Sequence, residues 1–263
     1  MSNPLLPTLF LSHGVPTLPL DSIPARDFLL HLGSRYQNIR AVLCISAHWN
    51  TPYAAVNAGK MPETIYDFYG FPTELYQIRY PAVGSPVMAG KTVDLIHQAG
   101  IRCDINSHRG LDHGAWIPLM LMFPDADIPI VQLSIQHHLD PAEHLALGKS
   151  IQSLRNDGVL IIGSGGAVHP LGYADTSLGV GAKTDEWAKM FDSWLMHAVT
   201  AGDRESLLYY KERAPYPERA HPYPDHFMPL FVAMGAAGEG ATGIVLHQSW
   251  QWGDLSMGMY EFR

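Results

Sequence analysis

The stretch AVLCISAHW, residues 41–49, indicates the fold more directly than any other part of the sequence. Its apolar part, Ala41–Ala47, is an unbroken run, which is typical of a β-strand covered on both faces. The run ends at His48 and Trp49. Three more runs of this kind predict further buried strands, at Thr8–Ser12, Ile128–Ile135 and Val159–Ser164.

Segments with a helical spacing of apolar residues lie between these predicted strands. They are Ala25–Tyr36, Ser85–Ala99, His113–Phe123, a helix from Pro141 to Asp157, Thr184–Thr200, Arg204–Arg213 and His226–Ala237. Residues 58–84, rich in Pro, Gly, Tyr and Phe, predict an ordered loop, and residues 242–250 and 255–262 predict two closing strands. Strands that alternate with helices favour an α/β fold with a mostly parallel central sheet sandwiched between helices. We expect a single domain over residues 1–263.

Composition limits the possible partners. The formal net charge is −8 and no basic cluster is visible, so nucleic-acid binding is not expected. No apolar run approaches the roughly 18–20 residues of a membrane span, and the first residues lack the pattern of a signal peptide. The two cysteines, Cys44 and Cys103, are too few for a disulfide framework. We therefore expect a cytoplasmic protein without a membrane partner; the oligomeric state stays open.

Histidines recur where the predicted strands end. Three histidines directly follow apolar runs: His13 follows LFLS, His48 follows CISA and His169 follows IIGSGGAV. Two others, His113 and His226, lie at the first positions of predicted helices. Ligands of open α/β sheets bind beyond the carboxyl ends of the strands, so adjacent parallel strands would bring the first three imidazoles to one rim. One such histidine is more often a surface or core residue, but the recurrence favours a site for zinc or iron(II), for which imidazole is a common ligand.

The other motifs that carry chemistry are missing or incomplete. The GSGG segment at 163–166 lacks the spacing of a nucleotide-binding loop, and no G-x-S-x-G or H-E-x-x-H motif is present. Six histidines lack a strand-end setting, and we predict that they pack or lie on the surface: His108, His137, His138, His144, His197 and His247.

Eight sequence blocks together resemble one enzyme family, the 4,5-DOPA extradiol dioxygenase group of the class III extradiol ring-cleavage dioxygenases. This group shares a superfamily with the catalytic subunit of protocatechuate 4,5-dioxygenase. The blocks occur in the expected order and cover most of the chain: SHGVP (12–16), SAHW (46–49), TIYDFYGFP (64–72), YPAVGSP (80–86), LDHGAW (111–116), PDADIPIVQLSI (124–135), GSGGAVH (163–169) and PDHFMPL (224–230).

The resemblance implies roles for the histidines. His13 and His48 match metal ligands, and His226 matches the third, where the protocatechuate enzymes have a glutamate. The neighbouring Asp225 could coordinate instead, although we favour His226. His169 matches a residue that is either a further ligand or the catalytic base, and His113 matches a pocket histidine that is the alternative base.

The resemblance also implies a reaction. We expect a catalytic domain that opens the ring of a catechol, DOPA-like or related, with O2 and iron(II); zinc(II) can occupy such a site in purified protein. Tyr66, Phe68 and Phe71 are candidates for walling the aromatic substrate, or else they pack the loop. The alternatives are a zinc-dependent hydrolase and a non-catalytic metal-binding module on the same fold. Which catechol is cleaved, and at which position, stays open.

Overall fold

The computed structural model describes residues 5–171 and 181–263. Its strands are β1 (Thr8–Ser12), β2 (Ala41–Asn50), β3 (Ala54–Asn57), β4 (Cys103–Asn106), β5 (Ile130–Ile135), β6 (Val159–Gly165), β7 (Gly243–His247), β8 (Trp250–Gln251), β9 (Leu255–Ser256) and β10 (Met259–Phe262). Its α-helices are α1 (Pro24–Leu32), α2 (Pro86–Gln98), α3 (His113–Met122), α4 (Pro141–Ser150), α5 (Glu186–Ala201), α6 (Arg204–Leu208), α7 (Tyr210–Arg213), α8 (Pro217–Ala220) and α9 (Met228–Ala237). Short 3₁₀ helices occupy Gly33–Arg35, Thr73–Gln77 and Gln152–Asp157.

Eight strands form one sheet in the order β4-β3-β5-β2-β6-β1-β10-β7, and β8 and β9 form a separate hairpin. The central strands β5, β2, β6 and β1 are parallel to one another. Antiparallel pairs flank this centre, where β3 meets β5 on one side and β10 joins β1 and β7 on the other. The predicted α/β fold with a mostly parallel central sheet is confirmed.

Both faces of the sheet are covered, as the continuous apolar runs predicted. On β2, Leu43 and Ile45 belong to the core layer that contains buried residues of α2, α4, α5 and α9. Val42 and Cys44 face the opposite layer, which contains α1 and α3. Within the described ranges, no helix is both long enough and apolar enough to cross a membrane.

The structure corrects several predicted boundaries. His48 lies inside β2 rather than after it, because β2 continues beyond an irregularity and pairs Asn50 with Ile135. Helix α9 begins at Met228 rather than His226, because the carbonyl of Pro224 accepts hydrogen bonds from the amides of Phe227 and Met228 and forms a turn there. The two predicted closing strands are interrupted and yield four short strands, β7 to β10. Strand β3 lies in a segment that the sequence pattern did not resolve.

Helix α9 packs against α4 at two glycines, and this contact matters because α9 follows the loop that carries His226. A Cβ added to Gly148 would lie 2.1 Å from the carbonyl oxygen of Val232, and one added to Gly235 would lie 2.1 Å from that of Leu145. Both contacts involve backbone atoms, which cannot move aside without separating the helices. The two glycines therefore fix the distance between α4 and α9.

We expect Gly148→Ala to destabilise the protein by about 1–3 kcal/mol, the usual cost of overpacking a tight core. The matched control is Gly90→Ala on α2, where an added Cβ would meet nothing within 4 Å. This control should be neutral or stabilising by about 0.5–1 kcal/mol, since alanine is the better helix former. Urea unfolding of both variants gives the comparison, and a loss for Gly90→Ala equal to that for Gly148→Ala would contradict the packing argument.

Candidate metal and catalytic site

The adjacent parallel strands β2, β6 and β1 bring the predicted histidines to one end of the sheet. His13 directly follows β1 and His48 lies near the end of β2, and their Nε2 atoms are 3.0 Å apart. The Nε2 atom of His226, from the loop before α9, lies 3.1 Å from the same His48 atom. The three imidazoles that the sequence proposed as metal ligands therefore meet at His48 Nε2.

Hydrogen bonds at the opposite ring nitrogens determine which tautomers are present. The Ser164 hydroxyl donates its single proton to the carbonyl of Gly114. Its oxygen, 2.9 Å from His13 Nδ1, must therefore accept the hydrogen bond from the Nδ1–H of His13. The Nδ1 atom of His226 is 3.0 Å from Asp225 Oδ1, and an ionised carboxylate can only accept. Both rings are thus protonated at Nδ1 and present an Nε2 lone pair towards His48.

His48 completes the pattern. Its Nδ1 atom lies 3.7 Å from Asp67 Oδ2, which favours the proton on Nδ1 and leaves a third lone pair at Nε2. With these tautomers no donor lies between the three nitrogens, and a shared cation would satisfy all three lone pairs. Two nitrogens that bind one ion at about 2.0–2.1 Å lie roughly 2.9–3.4 Å apart, so the observed separations fit a common metal ion.

Burial keeps these imidazoles neutral. Desolvation lowers the pKa of His13 and His226 well below the ordinary value of 6.5, and neighbouring histidines lower both further. The pKa of His48 is lowered to about 3 by burial and then by His113. Neutral imidazole is the form that binds a metal, so the site is ready to bind one at neutral pH without first losing protons.

His113 lies close enough to join the cluster. Ligand nitrogens of His13, His48 and His113 all lie within 4.8 Å of one another, a group that could itself hold a metal ion. The ring of His113 is 3.9 Å from that of His48 between centroids. The sequence placed this residue in the pocket, and the structure puts it beside the proposed ligands.

Asp67 is a site residue that sequence reasoning missed. Its Oδ1 accepts a hydrogen bond of 2.9 Å from the backbone amide of His113 and lies 3.0 Å from His113 Nδ1, while its other oxygen faces His48. Burial alone would raise the pKa of Asp67, but contacts with His113 outweigh it and lower the pKa to about 2. The carboxylate is therefore charged, accepts a hydrogen bond from the backbone of His113, and lies beside the rings of His113 and His48. The sequence feature that indicates Asp67 is its place in the TIYDFYGFP block, in which only the aromatic residues are predicted to line the site.

Asp112, at the start of α3, is a second missed residue. Its fully buried carboxylate accepts from Ser46 Oγ at 2.6 Å, from Arg109 at 3.0 Å and from the side chain of Gln132, and it caps the helix at the amide of Ala115. The same Ser46 hydroxyl accepts from the backbone amide of His48 at 3.2 Å. Asp112 thereby connects the start of α3 to the end of β2.

Gly114 allows α3 to lie directly against the histidines. A Cβ at this position would come 2.6 Å from Ser46 Oγ, 2.9 Å from His48 Cδ2 and 3.2 Å from His13 Cε1. Any larger side chain would displace the first turn of α3 or the two rings. The glycine in the LDHGAW block is thus explained by close packing.

His169 has a different orientation from the other site histidines. Its ring stacks on that of His226 with a centroid distance of 3.5 Å and an interplanar angle of 5°, and its backbone amide donates to Ala220 at 2.9 Å. Burial lowers the pKa of His169 well below 6.5. The structure thus places it beside a proposed ligand, face to face, with a neutral ring.

The three predicted aromatic wall residues form one cluster that reaches the site through Phe68. The Phe68 ring is 5.6 Å from that of His113 and 5.6 Å from that of Phe71, both edge to face. Tyr66 packs on Phe68 and donates its hydroxyl to the carbonyl of Ile78 at 2.7 Å. Phe68 thus borders the histidines directly, and the other two support it.

The sequence did not identify His221 as a residue near the site, because it follows no predicted strand. It is buried, its Nε2 donates to the carbonyl of Ala167 at 3.1 Å, and its ring stacks on Phe227. Burial lowers its pKa to about 4. The histidines predicted to lie elsewhere make other contacts; for instance, buried His144 bonds the backbone of Gln136 and Asp140, and His197 bonds Ser193.

Together, the sheet and the buried histidine cluster at its strand ends define an α/β protein with a group of histidines that could hold a metal ion. The family model described as "Catalytic LigB subunit of aromatic ring-opening dioxygenase" matches residues 9–259. The chain belongs to this family and is an extradiol ring-cleaving dioxygenase, which confirms the resemblance drawn from its sequence blocks.

Named relatives extend over nearly the whole chain. It is 47% identical over 260 residues to "4,5-DOPA dioxygenase extradiol" of Beta vulgaris, covering 97% of this chain and 96% of that protein. It is 35% identical over 244 residues to the Escherichia coli K12 protein of the same name, covering 90% and 87%. A crystal structure of an uncharacterized protein from Escherichia coli K12 is similar, with a TM-score of 0.80, 30% identity, and coverage of 98% of this chain and 100% of that one.

The tautomer argument predicts that Ser164→Ala weakens metal binding by about 10–100-fold, since His13 loses the acceptor that fixes its Nδ1 proton. The matched control, Thr8→Val, removes a buried hydroxyl-to-carbonyl hydrogen bond of 2.7 Å at the other end of β1. Zinc affinity is measured by competition with a chromophoric chelator. Equal affinity in the two variants would show that Ser164 does not orient His13.

Proposed function

We propose that this extradiol dioxygenase uses iron(II) and O2 to open the ring of a catechol, DOPA-like or related. The observation that carries the proposal is the meeting of three neutral imidazoles whose Nε2 lone pairs face one another at 3.0 and 3.1 Å. The names of the Beta vulgaris and Escherichia coli relatives support a catechol amino acid as the substrate class.

In this proposal His13, His48 and His226 hold the metal. The hydrogen bond from His226 Nδ1 to Asp225 supports His226 as the ligand, with Asp225 as the carboxylate that orients it. Bound iron(II) would supply a redox-active centre with open positions for the two catechol oxygens and for O2. Zinc(II) fits the same donors and can replace iron in purified protein, without the redox chemistry.

A neutral histidine beside the metal would accept the proton that a catechol hydroxyl loses on binding. His169 is our first candidate, because its ring is stacked on His226 and burial favours its neutral form. His113 is the second: its Nδ1 faces Asp67, which leaves Nε2 as the atom that can take up a proton. The base would later return the proton to the opened product.

The aromatic cluster gives the substrate ring a wall. Phe68 lies edge to face against His113, so a catechol bound beside His113 would contact an aromatic surface. Phe71 and Tyr66 hold Phe68 in place and help to exclude water from the histidines.

We propose one catalytic domain over residues 1–263, located in the cytoplasm, where the buried free thiols of Cys44 and Cys103 stay reduced.

The proposal is tested by loading metal-free protein anaerobically with iron(II) or with zinc(II). Iron-loaded protein should consume O2 in proportion to added DOPA or another catechol and form a yellow ring-opened product, whereas zinc-loaded protein should consume none. Oxygen uptake and absorbance are recorded together. If folded, iron-loaded protein takes up no O2 with DOPA, caffeate, protocatechuate or catechol, the proposed reaction is wrong.

The role of His169 is tested separately. If it is chiefly the base, His169→Ala should keep most of the iron and lower the turnover rate by about 10²–10⁴-fold, the usual contribution of a general base. His226→Ala should lose the metal, and His197→Ala, at an exposed helix position, should change neither property. Metal content and oxygen uptake are measured for each variant. Loss of iron from His169→Ala would make this residue a ligand and leave His113 as the base.

A further inference from the structure

A groove of about 1080 Å³ lies at the other end of the sheet, away from the histidines. It is bordered by residues that precede β1, β2 and β6, including Leu6, Arg40 and Gly158, and by the edge strand β7. Strand β6 separates this end from the histidine site by roughly 20 Å, at about 3.3 Å per residue. The groove is therefore a separate surface with its own chemistry.

Positive charge is concentrated in this groove although the chain as a whole is acidic, with a net charge of −8. Four arginines line it: Arg35, Arg40, Arg155 and Arg263. The two acidic side chains that line it already have partners. Asp157 is 2.7 Å from Lys91, and buried Glu261 accepts from Arg263 and, at 2.7 Å, from the hydroxyl of Tyr36. The groove thus keeps a surplus of positive charge after its internal ion pairs are counted.

Arg155 is the deepest of these cations, with an exposed fraction of 5%. Its Nε donates to the carbonyl of Leu6, and its Nη1 donates to those of Ala236 and Ala237 at the end of α9. These carbonyls hold the guanidinium in one orientation and offset part of its charge. Within residues 5–171 and 181–263 no carboxylate pairs with it, and Nη2 is left without a hydrogen-bond partner.

Arg40 and Arg35 are exposed cations that border the same groove as this fixed one. The aliphatic part of Arg40 packs near Gly158, and no acidic group among the described residues pairs with its guanidinium. Arg35 lies over the ring of Phe28 at 5.1 Å, a contact that leaves its N–H groups free to donate. Three guanidinium groups therefore border one groove with donors that no described residue uses.

We propose that this groove binds a small anion that carries two or more negative charges on phosphate or carboxylate groups. Arginine forks match the oxygens of both groups and bind them with charge-assisted hydrogen bonds. The apolar border of Leu5, Val245 and Leu246 would contact any organic part of the ligand.

The test is calorimetric titration of zinc-loaded, full-length protein with tripolyphosphate and, separately, with citrate, at constant ionic strength. We expect saturable binding of at least one anion, and the comparison of the two identifies the preferred group. The double variant Arg35→Gln/Arg40→Gln should weaken that binding by about tenfold or more, because charge-assisted hydrogen bonds are lost. Both residues are exposed, so the variant should fold; Arg155 is left intact because it also holds the end of α9.

The control is Arg102→Gln, which removes one exposed charge beside β4 at the opposite edge of the sheet. It should leave anion binding unchanged. Zinc content is measured after each titration, because both anions chelate metals. The proposed site is wrong if the unmodified protein binds neither anion, or if the double variant binds as tightly as the unmodified protein. It is also wrong if Arg102→Gln weakens binding as much as the double variant does, or if the measured heat comes from loss of zinc.

Discussion

Three imidazole nitrogens that all present lone pairs meet in this protein, and the structure around them is arranged to sustain that unfavourable contact. His13, His48 and His226 are each fixed from the opposite ring nitrogen, by Ser164, Asp67 and Asp225 respectively. Without the hydrogen bonds to Ser164 and Asp225 and the nearby charge of Asp67, each ring could turn or change tautomer and replace the repulsion with a hydrogen bond. The arrangement therefore favours a cation as the shared partner of the three nitrogens, in line with the proposed metal site.

Close backbone packing at glycines sets the distances. A Cβ at Gly165 would lie 2.1 Å from the carbonyl oxygen of His226, and one at Gly163 would lie 2.3 Å from that of Pro229. These contacts hold the loop before α9 and the first turn of α9 against β6, while Gly148 and Gly235 let α4 pack closely against α9. A helix whose residues are all buried can thus place His226 next to histidines from two strands.

The sequence was sufficient for features that depend on local pattern and general rules of topology. Apolar runs predicted the central strands, and the rule that strand carboxyl ends share one edge predicted that His13 and His48 would meet. Asp67 and Ser164 could not be found in this way, because their roles depend on contacts between segments far apart in the chain. Ser164, for example, bonds a ring 151 positions away. Polar residues that orient a site have no periodicity of their own, so the folded structure is needed to show which histidines they contact.

The buried histidines also connect metal binding to stability. Their pKa values are lowered in the folded protein, that of His48 to about 3, whereas in the unfolded chain they return to about 6.5. Below pH 6.5 the unfolded chain therefore binds more protons, and the stability of the metal-free fold falls as the pH is lowered towards the folded-state values. A metal that binds only the folded form adds stability, but protons that reach the same nitrogens compete with it. At neutral pH the imidazoles are already neutral, so protons would not compete there with a metal ion that the cluster binds.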